Sequence, residues 1–266
     1  MDEETTFSVL QTDPVMPSEA QLVAAFGCID SLTDYDAKRR AKGTAGYIAD
    51  HLSYEDAMGL MGGLAQQGLA AAIEEDDAIP QLPQPFKTRR ANCADAGVEL
   101  LDSLNRPVTV PWDAVRLVAC GAVMRTRTTS TGAGLSGQPQ DLGLNTGAIM
   151  AGGVSGFYVA SSISMPSFEI GSNEVRQCEP TLEIHTIGNP ERWVLEGSFS
   201  VQLNGESIRP RDEAVHQAAC ICAERATAAI VNFGIQEAAE NHRLLAYHHR
   251  SFFERELRWL NWLMTL

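Results

Sequence analysis

Apolar positions recur at helical spacing in the first third of the chain, and each recurrence starts behind a capping residue. Ser18 stands three residues before Gln21, a reciprocal capping pair, and Leu22, Val23 and Phe26 then give a short helix one apolar face ending near Gly27. Thr33 and Asp36 repeat the signal ahead of a second helix that runs to about Lys42, with Gly43 as its stop. Residues 47–52 alternate in the manner of a brief strand. Ser53 and Asp56 then fix the start of a third helix, which carries Ala57, Leu60, Met61 and Leu64 on one face and Gly59, Gly62 and Gly63 where a neighbour can approach closely. Leu69 to Ile73 suits a buried strand, and the acidic run Glu74 to Asp77 returns the chain to water. The pattern predicts a compact α/β module over residues 17–78 behind a mobile leader at 1–16, which holds Pro14.

The period changes from residue 79 onward. Pro80, Pro83 and Pro85 space an extended segment, so residues 79–96 read as a linker. Val98 to Leu101 and Val108 to Val110 flank an Asn105-Arg106-Pro107 turn and predict a hairpin, followed by the apolar run Val115 to Val123. A second hairpin is expected from Thr181 to Ile187 and Trp193 to Leu203, turned at residues 188–190, and these strands together predict one twisted antiparallel sheet. Residues 126–177, rich in Gly, Ser and Thr, read as a flexible insertion into it. The C-terminal part is helical. Small residues line a helix from Asp212 to about Ala229, a short continuation covers 236–240, and a last helix opens at Ser251 capped against Glu254, with Phe253, Leu257, Leu260 and Met264 on one stripe. The fold class is α+β: a small N-terminal α/β module, then residues 97–266 as an antiparallel sheet with C-terminal helices.

Two stretches resemble known families. Residues 21–75, through Asp36-Ala37-Lys38, Ser53-Tyr54-Glu55-Asp56-Ala57, Leu64 and Gly68-Leu69, resemble the C-terminal domain of the bacterial ribosomal stalk protein. That likeness implies the fold of the module; of the lysine-rich docking surface only Lys38, Arg39, Arg40 and Lys42 are represented, and the ribosomal role is not carried over. Residues 97–203, with strand, turn, strand and then Pro111-Trp112-Asp113, resemble bacterial pleckstrin-homology-like (PH-like) sheets, whose last helix closes one end of a barrel. The order of modules as a whole looks like that of a bacterial family which implies no particular activity.

Charge narrows the partners. A formal net charge of -14 opposes approach to phosphate backbones, so nucleic acid is not expected. The acidic start lacks a signal-peptide pattern, and the six cysteines show no Cys-x-x-Cys, so a cytoplasmic protein with reduced thiols is expected. The most membrane-like window, 142–163, is too polar to span a bilayer.

Little in the sequence points to chemistry. Gly132, Gly134 and Gly137 fit a dinucleotide-loop spacing, but residues 138–140 that follow contain Pro139 instead of opening a helix, so no cofactor is expected and a flexible loop is the reading. His216 and Cys220, four apart on a helix, are the candidate metal ligands, although Cys222 falls on the opposite side of the axis and an ordinary packed helix is the competing reading. The nucleophile-elbow, P-loop and zinc-protease signatures are missing, so no catalytic residue is assigned. Lys38, Arg39, Arg40 and Lys42, together with the second basic spot at Lys87, Arg89 and Arg90, are the surfaces suited to docking an acidic partner or a lipid headgroup. The leading expectation is a non-catalytic protein-interaction or regulatory module; the alternatives are a peripheral membrane protein and an enzyme whose site is assembled only by the fold.

Overall fold

The computed structural model describes residues 5–42, 44, 46–129, 173–188, 190–197, 199–208 and 211–266. Residues 130–172, most of the stretch expected as an insertion, lie outside this set, as does the glycine-spaced motif within it. The chain divides into two compact units, residues 1–124 with 179–266, and residues 125–178. Its fold is α+β.

The N-terminal part runs β1 (Phe7–Gln11), α1 (Glu19–Phe26), α2 (Asp34–Ala41), β2 (Tyr47–Leu52), α3 (Tyr54–Gln66) and β3 (Ala71–Glu75), with the strands ordered β2-β1-β3, all antiparallel. Both expected capping boxes form, Ser18 with Gln21 and Thr33 with Asp36. Ser53 caps α3 through the Asp56 N–H, but the Asp56 carboxylate accepts from Ser31 instead of reaching back. The helices bury Leu22, Phe26, Ala37, Leu60 and Leu64 against Val9, Ile48 and Leu52. A Cβ at Gly63 would lie 2.6 Å from the Ala25 carbonyl oxygen, so the glycine sets the close approach of α1 and α3.

Two expectations give way here. The leader holds β1, the central strand of the sheet, because Val9 and Leu10 are fully buried between partners more than a helix away in sequence. The acidic run is not all turn: Glu74 and Glu75 pair with Ser8 and Phe7 in β3, and only residues 76–78 form a 3₁₀ turn.

Onward the elements are β4 (Phe86–Lys87), β5 (Arg90–Ala94), β6 (Gly97–Leu101), β7 (Pro107–Pro111), β8 (Val115–Thr129), β9 (Asn173–Thr186), β10 (Arg192–Leu195), β11 (Ser200–Leu203), β12 (Glu206–Ser207), α4 (Arg211–Arg225), β13 (Ile230–Val231), α5 (Phe233–Asn241), β14 (Ala246–Tyr247) and α6 (Arg250–Leu263). The β6–β7 hairpin is antiparallel as expected. In place of one antiparallel sheet there are two, a six-stranded one ordered β13-β8-β9-β10-β4 with β14 also on β8, and a five-stranded one ordered β12-β11-β5-β6-β7. Parallel pairs join β4 to β10, β5 to β11, and both β13 and β14 to β8. The strand expected over 193–203 breaks at Gly197, whose φ of 70° turns the chain from one sheet to the other. Strands β4 and β5 fall inside the stretch expected as a linker, and the Pro83 carbonyl accepts from Arg192 while Ile79 is buried, so that stretch is tied into the fold.

The apolar run in β8 is covered on both faces. Val118 and Cys120 join the core shared by the two sheets and α4, whereas Leu117, Ala119 and Val123 pack with Phe253, Leu257, Trp259 and Leu260 of α6. The terminal helix begins one residue earlier than expected, because the His249 ring, not Ser251, accepts the N-terminal N–H, that of Ser251. The helix expected to reach Ala229 stops at Arg225. Asn232 caps α5 through the Ile235 N–H and bonds both backbone groups of Cys120, which seats β13 on β8.

Candidate functional site

The basic residues flagged by the sequence share one turn. Lys38, Arg39 and Arg40 occupy the last turn of α2 and Lys42 caps it, all exposed, while Ala37 and Ala41 of the same turn are buried and hold the helix on α1. Alternation of buried alanines with cations is what turns the charges outward. The Thr44 hydroxyl donates to the Arg40 carbonyl at 2.6 Å and closes the helix end, where cations also meet the negative pole of the helix dipole. Tyr35, one turn earlier and 73% exposed, lies along the same stripe as Lys38 and Arg39. None of the four cations makes an ion pair among the described residues. The nearest acid in the helix, Asp36, is committed to Thr33, whose hydroxyl and backbone N–H hold its carboxyl below the usual range with help from Arg39 and Arg40.

The second basic spot is used differently. Lys87 pairs with Glu196 at 2.5 Å, at the rim of a buried charge cluster on the six-stranded sheet. At its centre Glu183, with 0% exposure, accepts from Arg192 through Nε at 2.8 Å and Nη2 at 3.2 Å and also pairs with Arg250. Arg192 and Arg250 each reach Glu254, at 3.3 Å and 3.1 Å. Burial opposes the charge on Glu183, but the His185 ring nitrogen 3.5 Å away, the bonds from Arg192 and the two guanidinium charges lower its carboxyl to about 2. Strand alternation explains the cluster: Leu182 and Ile184 face the shared core while Glu183 and His185 face α6.

The candidate metal ligands do not assemble a site. His216 on α4 spends Nε2 on the Ala238 carbonyl at 2.9 Å, with the His242 ring 5.7 Å away, and burial raises the half-buried Cys220 thiol. Among the described residues, no group of three or more His, Cys, Asp or Glu could hold a metal ion.

One constellation escaped the sequence. Asp76 accepts from the Thr6 hydroxyl at 2.6 Å, from the Ser8 hydroxyl and from the His51 backbone N–H at 3.2 Å, and it pairs with the His51 ring nitrogen Nδ1 at 2.8 Å. Burial works against its charge; the Ser8 and Thr6 bonds and His51 prevail and lower the carboxyl. His51 stands at φ 53° in a register shift between β1 and β2, the bulge re-aiming its side chain, which stays 78% exposed. The signal was present as separate residues, but His51 and Asp76 meet only through pairing with β1. Ser8 itself is buried and bonds the Asp76 oxygen opposite to the one held by His51, so the imidazole does not activate it. The cleft beside β7, about 170 Å³, is lined by groups such as Val108, Val110, Ile187 and Trp193 and holds no titratable side chain.

No family model, curated protein or solved structure matches the chain. Among the described residues, no helix is long and apolar enough to cross a membrane.

Proposed function

We propose that the protein is a non-catalytic interaction module of the cytoplasm that docks an acidic protein partner on the exposed stripe of α2. The observation that carries this reading is the stripe itself: Tyr35, Lys38, Arg39, Arg40 and Lys42 stand in solvent on a chain of net charge -14, with their cations left unpaired among the described residues. Unpaired cations around an exposed aromatic ring are the composition of interface anchors, and charge complementarity then sets partner choice and encounter rate. No ion pair among the described residues includes these cations, whereas Lys87 is paired with Glu196. The six free cysteines fit a reducing compartment. The membrane-surface reading draws least support, because the apolar stripe of α6 is buried within the fold.

The test is affinity capture from the native host with the wild-type chain and with a variant carrying K38E, R39E, R40E and K42E. An acidic protein retained by the wild type and lost from the variant supports docking at α2. Retention of the same proteins by both chains refutes it.

A further inference from the structure

Cys93 and Cys222 lie 129 residues apart in sequence, and their sulfur atoms stand 3.8 Å apart. Cys93 is on β5 and Cys222 on α4, so the pair sits where the helix crosses the five-stranded sheet. Both are buried, at 2% and 0% exposure, within the core shared by the sheets. The 3.8 Å separation must close to the disulfide bonding distance of about 2 Å.

We propose that Cys93 and Cys222 are an oxidative cross-link site, closing to a disulfide that ties β5 to α4 when a hydroperoxide reaches the thiols. The surroundings give Cys93 the attacking role. A hydrogen bond with the Cys222 thiol lowers the Cys93 thiol, burial opposes it, and the Arg225 charge adds to the lowering; Cys222 is raised well above the ordinary thiol value by the same bond and by its burial. One charged side chain ties the helix to the strand beside the pair. Arg225 lies one turn beyond Cys222, donates to the Ala94 carbonyl at 2.6 Å, pairs with the exposed Asp95 at 3.1 Å and stands 5.9 Å from the Trp112 ring, so peroxide entry to the buried pair requires local opening where α4 meets β5.

The chemistry balances in two steps. The Cys93 thiolate attacks the outer oxygen of the hydroperoxide and the O–O bond breaks; the alcohol leaves with the proton given up by the Cys93 thiol, and Cys93 becomes a sulfenic acid. The Cys222 sulfur then attacks the Cys93 sulfur, the S–O bond breaks, and hydroxide departs with the Cys222 proton as water. Two thiols lose two electrons and the peroxide gains them.

Hydrogen peroxide applied to the full chain carrying C28S, which removes the exposed thiol, tests this. Free thiols are then alkylated in denaturant and unreduced peptides are mapped by mass spectrometry. The expected product joins the Cys93 and Cys222 peptides, and the oxidised protein melts higher, on the order of 10 °C for a cross-link closing so long a loop, reversibly with a dithiol reductant. In C222S, whose hydroxyl can still donate to the Cys93 sulfur but cannot form a disulfide, the same treatment leaves Cys93 as a sulfenic acid that a dimedone probe captures. Cys93 and Cys222 both recovered alkylated, Cys222 joined to Cys120 or Cys220 instead, or a melting temperature unchanged or lowered by oxidation would overturn the proposal, and the mapping needs no variant at either position.

Discussion

Glu256 is a buried carboxyl with no cation beside it, and replacing it with Gln should change how stability depends on pH. It is 2% exposed on α6; Oε1 accepts the Phe233 N–H at 2.7 Å, Oε2 accepts the Tyr247 hydroxyl at 2.5 Å, and no ion pair among the described residues includes it. Burial pushes its carboxyl from the usual 4.5 up to about 7, against the bonds from Tyr247, Phe233 and Asn232. Between these values the folded chain holds a proton that the unfolded chain has released, so stability falls as pH rises. At about 1.4 kcal/mol per pH unit over that interval, the loss is roughly 3 kcal/mol by pH 8. The Glu256→Gln variant cannot ionise. Its amide nitrogen faces the Tyr247 hydroxyl, already bonded by Asn232, so a mismatch of about 1–3 kcal/mol is expected at every pH. Urea unfolding of both chains at pH 5, 6, 7 and 8 separates the two effects, because all other titrations cancel in the difference. Wild type should exceed the variant at pH 5, and the difference should shift by about 2.5 kcal/mol in the variant's favour by pH 8. A gap that stays constant across this range refutes the reasoning.

Two further substitutions probe packing and charge. Arg192→Ala removes the bidentate partner of Glu183 and leaves a buried carboxylate short of charge, so urea unfolding at pH 7 should show a loss of about 3–5 kcal/mol. Because the Glu183 carboxyl is lowered in the folded chain, that stabilisation is present above pH 4.5 and lost as pH falls towards 2, the opposite slope to Glu256. Gly46→Ala would place a Cβ inside the Trp259 ring at a backbone with φ 67°, and thermal melts followed by tryptophan emission should show a loss of about 2 kcal/mol or more.

What was legible in the sequence was local. The capping pairs at Ser18 and Thr33, the β6–β7 hairpin and the apolar stripe of α6 each depend on residues a few positions apart, and all four appear in the structure. Strand β1 hid behind an acidic, proline-bearing start because its partners, β2 and β3, come more than thirty residues later. Strand β4, two residues long and paired in parallel with β10, has no local signature. The basic surface could be read because Lys38, Arg39, Arg40 and Lys42 are neighbours on one helix. The Asp76 cluster could not, because Thr6, Ser8, His51 and Asp76 belong to three segments joined only by the sheet. His216 and Cys220 had helical ligand spacing, and in the fold His216 Nε2 bonds the Ala238 carbonyl.

The central claim is that α2 docks an acidic protein, and titration of the captured host partner against purified chains tests it most directly. Binding by the K38E, R39E, R40E, K42E chain should be weaker by about 30-fold or more at low salt, the sum of four charge contacts of roughly 0.5–1 kcal/mol each, and wild-type affinity should fall as salt is raised. Equal affinities for the two chains, with no dependence on salt, would contradict it.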